Sequence, residues 1–239
     1  QAGELLPERC NPDFYSLSFV WCPRCLAQAR YVRLHWHIPF VTCCTTHRCW
    51  LLDTCPECHR PVDEAGILLG QCEHCGFHLE DAQAFPVPED DLLFRLQTTL
   101  MSWLYQTPPP DLGFPDAPVN VLLRILQGLR YAVQRCGEDW YFHHLPPFIP
   151  RPQLDILKLR RLTLYERGTL YSTAFQGLLD WPQGFYTFLD AYRQRPTRTR
   201  TGMQAELGQI YIKWLPDFWK HSDFEFLQDA CNTYLLQNF

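Results

Sequence analysis

The sequence lacks the usual signatures of several enzyme classes. It has no Gly-rich phosphate loop, no nucleophile elbow and no His-Glu-x-x-His pair. These absences remove the common motifs of P-loop nucleotidases, α/β-hydrolases and zinc proteases. No apolar run approaches the roughly 20 residues that span a bilayer. No excess of positive charge is present either. Twenty-one Lys and Arg face 26 Asp and Glu, a formal net charge of −5, so no global basic field advertises nucleic acid. The imbalance is local: residues 1–90 carry 12 acids and 6 bases, residues 91–239 carry 14 acids and 15 bases. No secretory-signal pattern opens the chain, so the 12 cysteines read as thiols of a reducing cytoplasm and not as a disulfide framework.

What is present begins with a core-forming composition, 46% hydrophobic and 15% aromatic over 239 residues, enough for one large or two modest domains. The organising stretch runs from Trp21 to Phe77. It holds four ligand pairs, each with two intervening residues: Cys22-Pro-Arg-Cys25, Cys44-Thr-Thr-His47, Cys55-Pro-Glu-Cys58 and Cys72-Glu-His-Cys75. A turn of this spacing sets two donors on one side of a tetrahedron, so two turns close one zinc site and four close two. Pairing in chain order assigns Cys22, Cys25, Cys44 and His47 to the first site. Cys55, Cys58, Cys72 and Cys75 form the second. Four protein donors leave no position for a catalytic water, which marks both as structural. Cys43 is an alternative to Cys44, which is preferred because it keeps the two-residue spacing to His47. Cys49, His59, His74 and His78 lie nearby as spare donors. Cys136 and Cys231 fall on apolar helix faces and read as core residues.

The predicted architecture is mostly α with a small zinc-ribbon or zinc-knuckle module, two structural zinc sites followed by a multi-helix domain. Residues 1–20 read as an irregular entry segment and 21–88 as the tandem zinc-binding module. Residues 89–106 form a connecting helix, 107–118 a Pro-rich linker and 119–239 the helical domain. Between the first two ligand pairs, alternation in Tyr31–Thr42 predicts a strand or hairpin. Asp90 or Asp91 caps a helix from Leu92 to about Tyr105, with Leu93, Leu96, Leu100 and Leu104 as its apolar positions. After the linker, Leu122, Ile125, Leu126, Leu129 and Val133 share one helical face. Leu170 to Leu179, Phe185 to Tyr192 and Leu207 to Trp214 give further helical stripes. Ser222-Asp-Phe-Glu225 has the form of a capping box opening a last helix. The loop from Arg193 to Gly202 carries Arg193, Arg195, Arg198 and Arg200 without an acid. Arginine forks suit phosphate oxygens, although a solvated loop has the same composition. Lys158, Arg160 and Arg161 read as a solvated helix face. Beginning at Gln1 and ending within a helical pattern, the chain reads as a piece of a longer protein.

Several runs resemble a known family. Trp21-Cys-Pro-Arg-Cys-Leu, Arg33-Leu-His-Trp-His-Ile-Pro-Phe-Val-Thr, Cys44-Thr-Thr-His47 and Leu51-Leu-Asp-Thr-Cys-Pro-Glu-Cys58 are similar to the zinc region of TniQ/TnsD transposon target-selection proteins. Ala174–Leu189 and Phe226–Leu235 are similar to the helical region of longer members. The resemblance implies a non-enzymatic bacterial, cytoplasmic adaptor of a Tn7-like or CRISPR-associated transposon. It implies two structural Zn(2+) ions on the eight donors named above. The implied partners are target DNA, a Cascade-like CRISPR effector complex and the AAA+ ATPase TnsC; a dimer is compatible with the sequence. The family's N-terminal helix-turn-helix region is missing ahead of Gln1, so ATPase contacts are not assigned to residues. Arg24 and Arg60, within or beside metal turns, are placed to reach phosphate with Arg193, Arg195, Arg198 and Arg200. The competing expectation is a zinc-stabilised protein-interaction scaffold without DNA contact, which the acidic first 90 residues favour.

Overall fold

A computed structural model describes residues 19–105, 117–135, 162–193, 207, 210 and 222–239. The chain is mostly helical, and its described residues fall into two compact units. One, the ligand unit, includes 19–102 and 162–169. The other, the helical unit, includes 103–105, 117–135 and 170–239 as far as described.

The ligand unit opens with α1, Pro23–Gln28, whose N-cap is Cys22. Proline suits this first helical position because its missing N–H would have no partner there. Ahead of it Trp21 exchanges two 2.9 Å backbone hydrogen bonds with Leu52, which ties the first ligand turn to the chain leading into the third. The strand expected within Tyr31–Thr42 is absent. A 3-10 turn at Leu34–His37 occupies its centre and buries only Trp36. Extended pairing begins one residue later, as β1, Cys43–Cys44, against β2, Cys49–Trp50, with Cys43 opposite Trp50 and Cys44 opposite Cys49. The pleat sends neighbouring side chains to opposite faces. Cys43 therefore joins Trp50, Val87 and Leu93 in a hydrophobic cluster, with Phe85, Phe94 and Tyr165 packed against it, while Cys44 faces the first ligand group.

The short helix α2, Glu64–Leu69, is bounded by its own chemistry. Asp63 accepts the Gly66 N–H at 2.7 Å, and Gly70 closes the helix in the left-handed region at φ 72°. A second 3-10 turn follows at Leu79–Asp81. Helix α3, Leu92–Leu104, starts where the Asp91 carboxylate accepts the Leu93 N–H at 2.7 Å. It turns Leu93, Leu96, Gln97 and Leu100 inward; Leu104 is only half-buried, and Trp103 holds the buried place expected of it. Gln97 is fully buried and serves the backbone. It accepts from Thr42 N–H at 3.1 Å and donates to the Phe40 carbonyl at 2.8 Å. Two backbone groups beside β1 are thereby paired by one side chain.

Helix α5, Leu164–Phe175, is preceded in chain order by α4, Val119–Arg135. Its start is a capping box: Thr163 N–H donates to Glu166 Oε2 at 2.5 Å and Glu166 N–H to Thr163 Oγ1 at 3.3 Å. The Tyr165 ring lies 4.9 Å from that of Trp50, and at Gly168 the helix passes so close to β2 that no side chain fits between.

In the helical unit α4 buries Leu122, Ile125, Leu126, Leu129 and Val133, the face predicted for it. After α5 a 3-10 turn, Gln176–Leu178, leads to α6, Gln183–Arg193, which buries Phe185, Phe188, Leu189 and Tyr192. A Cβ on Gly177 would lie 3.1 Å from Leu129 and 3.2 Å from Phe188, so this turn is a point of close approach to both α4 and α6. Trp181 stacks on Phe185 at 5.2 Å and meets Phe226 edge-on at 5.5 Å. The capping box expected at Ser222 does not form. Ser222–Phe224 is a 3-10 turn, and α7, Glu225–Asn238, begins after it without a side-chain cap. The buried Phe224 in that turn replaces polar capping with apolar anchoring. Leu207 and Ile210 are buried. Trp214 and Cys136 lie outside the described residues.

Candidate metal centres

All eight donors named from spacing gather into two tetrads. Cys22, Cys25, Cys44 and His47 form one, Cys55, Cys58, Cys72 and Cys75 the other, and the ligand atoms of each lie within 4.8 Å of one another. The edges can be tested against coordination chemistry. Zinc–sulfur bonds of about 2.3 Å and zinc–nitrogen bonds of about 2.0 Å imply tetrahedral edges of about 3.8 Å between sulfurs and about 3.5 Å between sulfur and nitrogen. In the first tetrad Cys25 and Cys44 Sγ are 3.7 Å apart. His47 Nδ1 lies 3.5, 3.3 and 3.7 Å from the Sγ atoms of Cys22, Cys25 and Cys44. In the second, the Cys55–Cys75 and Cys58–Cys72 edges are both 3.7 Å. These edges match those of a tetrahedral dication, and both groups could hold zinc.

Two of the four turns share one backbone device, and a third shares its left-handed residue. In Cys55–Arg60 the first cysteine N–H donates to the carbonyl five residues on, at 2.8 Å, and the N–H of His59 returns to the Cys55 carbonyl at 2.9 Å. In Cys72–Phe77 the same two bonds recur at 2.8 Å each, with Gly76 in the place of His59. That fourth position after the first ligand needs a left-handed backbone: His59 has φ 57°, Gly76 φ 75°, and Arg48 after the Cys44 turn φ 48°. Flanking bridges, Thr54 with Pro61 and Gln71 with His78, repeat as well. The second tetrad is thus two copies of one knuckle facing each other. The cysteine spacing predicts the ligand pairs but not this repeat, for which Gly76 directly after Cys75 is the local signal. The first turn differs, because Cys22 and Cys25 sit at the start of α1.

The two tetrads also differ in surroundings. In the first, all three cysteines are buried; in the second, Cys75 is exposed and Cys58 half-buried. Around the first, Gln28 reaches His47 Nε2 at 3.1 Å, on the ring nitrogen away from the sulfurs. The Gln28 atom at this distance is its Nε2; with the ring Nδ1 on a metal and the proton on the ring Nε2, half a turn of the amide would present Oε1 as acceptor and fix the ring's tautomer and orientation. The Arg33 guanidinium donates to Cys25 Sγ at 3.6 Å, and Cys49 Sγ lies 3.5 Å from Cys22 Sγ. Around the second tetrad the donors to sulfur are backbone N–H groups: those of Cys58 and Glu57 to Cys55, of His74 and Cys75 to Cys72, and of Phe77 to Cys75.

These contacts set where negative charge settles first. Hydrogen bonds from the Cys22 and Cys25 thiols hold Cys44 far below the ordinary thiol range, helped by the His47 backbone N–H and opposed by burial. Cys25 is pushed well up by its bonds to Cys22 and Cys44 and by burial. In the second tetrad burial opposes ionisation of Cys72. The N–H groups of His74 and Cys75 and the thiols of Cys58 and Cys55 outweigh it, and bring Cys72 down to about 7. At Cys75 the Phe77 N–H favours the thiolate, but slight desolvation and the thiols of Cys55, Cys58 and Cys72 push it up to about 12. A cation entering either tetrad displaces the remaining protons, so metal uptake is coupled to pH.

The other named residues are placed as follows. Arg24 on α1 and Arg60 at the end of the third turn are exposed in the ligand unit. Arg193 belongs to the helical unit and is engaged there. It donates to Tyr234 Oη at 3.2 Å and to Asn238 Oδ1 at 3.1 Å, and it lies 4.8 Å from the Phe239 ring. Arg195, Arg198, Arg200, Lys158, Arg160 and Arg161 lie outside the described residues. Of the spare donors, Cys43 points into the hydrophobic cluster, and His74 contacts Glu73 at 3.2 Å. Burial and the Arg33 charge lower His35 to about 4.

No family model, curated protein or solved structure matches the chain. Among the described residues no helix is long and apolar enough to cross a membrane.

Proposed function

We propose that this chain is a non-enzymatic target-selection adaptor of DNA transposition, of the TniQ/TnsD kind, built on two structural zinc ions. In this reading it engages target DNA or an RNA-guided Cascade-like complex, and it recruits the AAA+ ATPase TnsC in a bacterial cytoplasm. The observation that carries it is the coincidence of two sets of residues. Three of the runs that resemble the family supply six of the eight donors, and Cys25–Cys44 and Cys55–Cys75 meet at tetrahedral edge lengths. Four protein donors per group leave no vacant coordination position, which supports a scaffold over a hydrolase. Arg24 and Arg60 on the turns are the phosphate contacts of this proposal, with Arg195, Arg198 and Arg200.

The test is duplex binding by fluorescence anisotropy across a salt series, with the zinc-loaded chain. Direct phosphate contact gives an affinity falling steeply with salt, with a slope of roughly −0.9 per contact. Replacing Arg24 and Arg60 together by alanine then flattens the slope by about two. A second reading, a zinc-stabilised protein-interaction scaffold without DNA contact, is favoured by the engagement of Arg193 with Tyr234 and Asn238 and by the acidic residues 1–90. Absence of binding to any duplex at low salt selects that reading and overturns the first.

A further inference from the structure

The two tetrads carry different charges once filled. Three thiolates and a neutral imidazole around a dication leave one negative charge; four thiolates leave two. Charge removed from water needs a partner, and the two groups meet that need differently. The first lies among buried cysteines. Arg33 stands beside it, half-buried, its guanidinium 5.1 Å from the Tyr31 ring and 5.8 Å from that of Trp36, with a donor 3.6 Å from Cys25 Sγ. The thiol of Cys49, 1% exposed, lies 3.5 Å from Cys22 Sγ on the strand residue paired with Cys44. The second group relies on backbone N–H donors and on water at the exposed Cys75. Among the described residues no cationic side chain donates to its sulfurs.

We propose that Arg33 is the counter-ion of the first centre, assisted by the Cys49 thiol, and that this pair makes the first centre hold its metal while the second exchanges. A charged donor on a ligating sulfur holds that sulfur in place, and the fixed cation offsets the buried anion without direct ligation. Arg33 is thus a positioning residue for the metal and not a ligand. The inference rests on the zinc reading above.

The experiment is zinc release from the fully loaded chain to an excess of a chromogenic chelator. Release is expected in two phases of equal amplitude. The phases are assigned with Cys44→Ser, which removes the slow one. Arg33→Gln accelerates the slow phase by about ten- to a hundredfold and leaves the fast phase unchanged. Arg33→Lys, which keeps the charge and loses the fork, restores most of the delay. Cys49→Ala accelerates the slow phase in the same direction and gives an independent reading should Arg33→Gln not fold. A slow phase indifferent to both Arg33→Gln and Cys49→Ala overturns the proposal. Equal acceleration of both phases, the mark of general loosening, does so too. A purified chain that takes up no zinc fails earlier and overturns the zinc reading itself, a result distinct from either.

Discussion

Replacing Gly168 by alanine separates two opposed effects by sign. On an exposed helix the change stabilises by about 1 kcal/mol, because glycine is the poorer helix former. At Gly168 the new Cβ would lie 2.6 and 2.8 Å from Cζ3 and Cη2 of Trp50 and 2.7 Å from Thr42 Oγ1. Neither neighbour yields easily. Trp50 is 5% exposed, paired with Cys43 in the sheet and packed on Tyr165; Thr42 is fully buried, and its N–H is tied to Gln97. Overpacking of this kind costs about 1–3 kcal/mol, so after the propensity gain a net loss of up to about 2 kcal/mol is expected. Urea unfolding of the zinc-saturated chain, followed by circular dichroism, should show the transition of the ligand unit at a midpoint lowered by roughly 0.5 M with an unchanged slope. Trp50→Phe removes the two crowding carbons. In that background Gly168→Ala should lose most of its penalty, a coupling that a double-mutant cycle reads directly. A stabilised Gly168→Ala, or full additivity with Trp50→Phe, would refute the packing of α5 on the β1–β2 hairpin.

Adjacent cysteines should differ in consequence. Cys44→Ser is expected to reduce bound zinc from two ions to one by elemental analysis, and Cys43→Ser to leave two, since Cys43 faces the hydrophobic cluster. The knuckle positions give a backbone test. His59→Gly relieves a non-glycine residue at φ 57° and should raise stability by up to about 1 kcal/mol. Gly76→Ala, at φ 75° with open space around the new carbon, should lower it by about the same amount; thermal unfolding with zinc present checks both. Tyr234 is pushed up to about 12, by burial and by its 2.6 Å hydrogen bond to Asp190, with Arg193 acting against both. A phenol that ionises less readily when folded contributes stability fully present below the unfolded value near 10. That contribution is lost as pH rises from about 10 to about 12. Tyr234→Phe should remove this part of the alkaline loss and delete a late-titrating tyrosine from the ultraviolet absorbance curve.

The ligand pairs were legible because a two-residue spacing already sets the distance between donors. No long-range information is needed to see that Cys22 and Cys25 face one point. The same holds for α3 and α4, whose apolar spacing and acidic or proline starts are local. What the pattern misjudged was decided by tertiary competition. Alternation in Tyr31–Thr42 suggested a strand or hairpin, but the segment must bury Trp36 and bring Arg33 round to Cys25, and a 3-10 turn does so. Ser222-Asp-Phe-Glu225 had the letters of a capping box, and burial of Phe224 overrode it. Thr163-Leu-Tyr-Glu166 had the same letters and forms one. Arg193 looked free in a basic run, yet the aromatic and amide groups on α7 that engage it lie more than 40 residues away. Cys49 gave no signal beyond its position, because its role follows from strand register.

The dipeptide Cys43-Cys44 places one sulfur in the first ligand group and its neighbour against Trp50 and Val87. A slip of one residue in this hairpin would exchange the two, offering Cys43 at a three-residue spacing from His47 in place of two and stranding the Cys44 thiol in oil. A cation held by the first tetrad would therefore favour one strand alignment over the other. Stripping it should loosen the far side of the hairpin as well, and the indole of Trp50 should report the event from a position that touches no ligand.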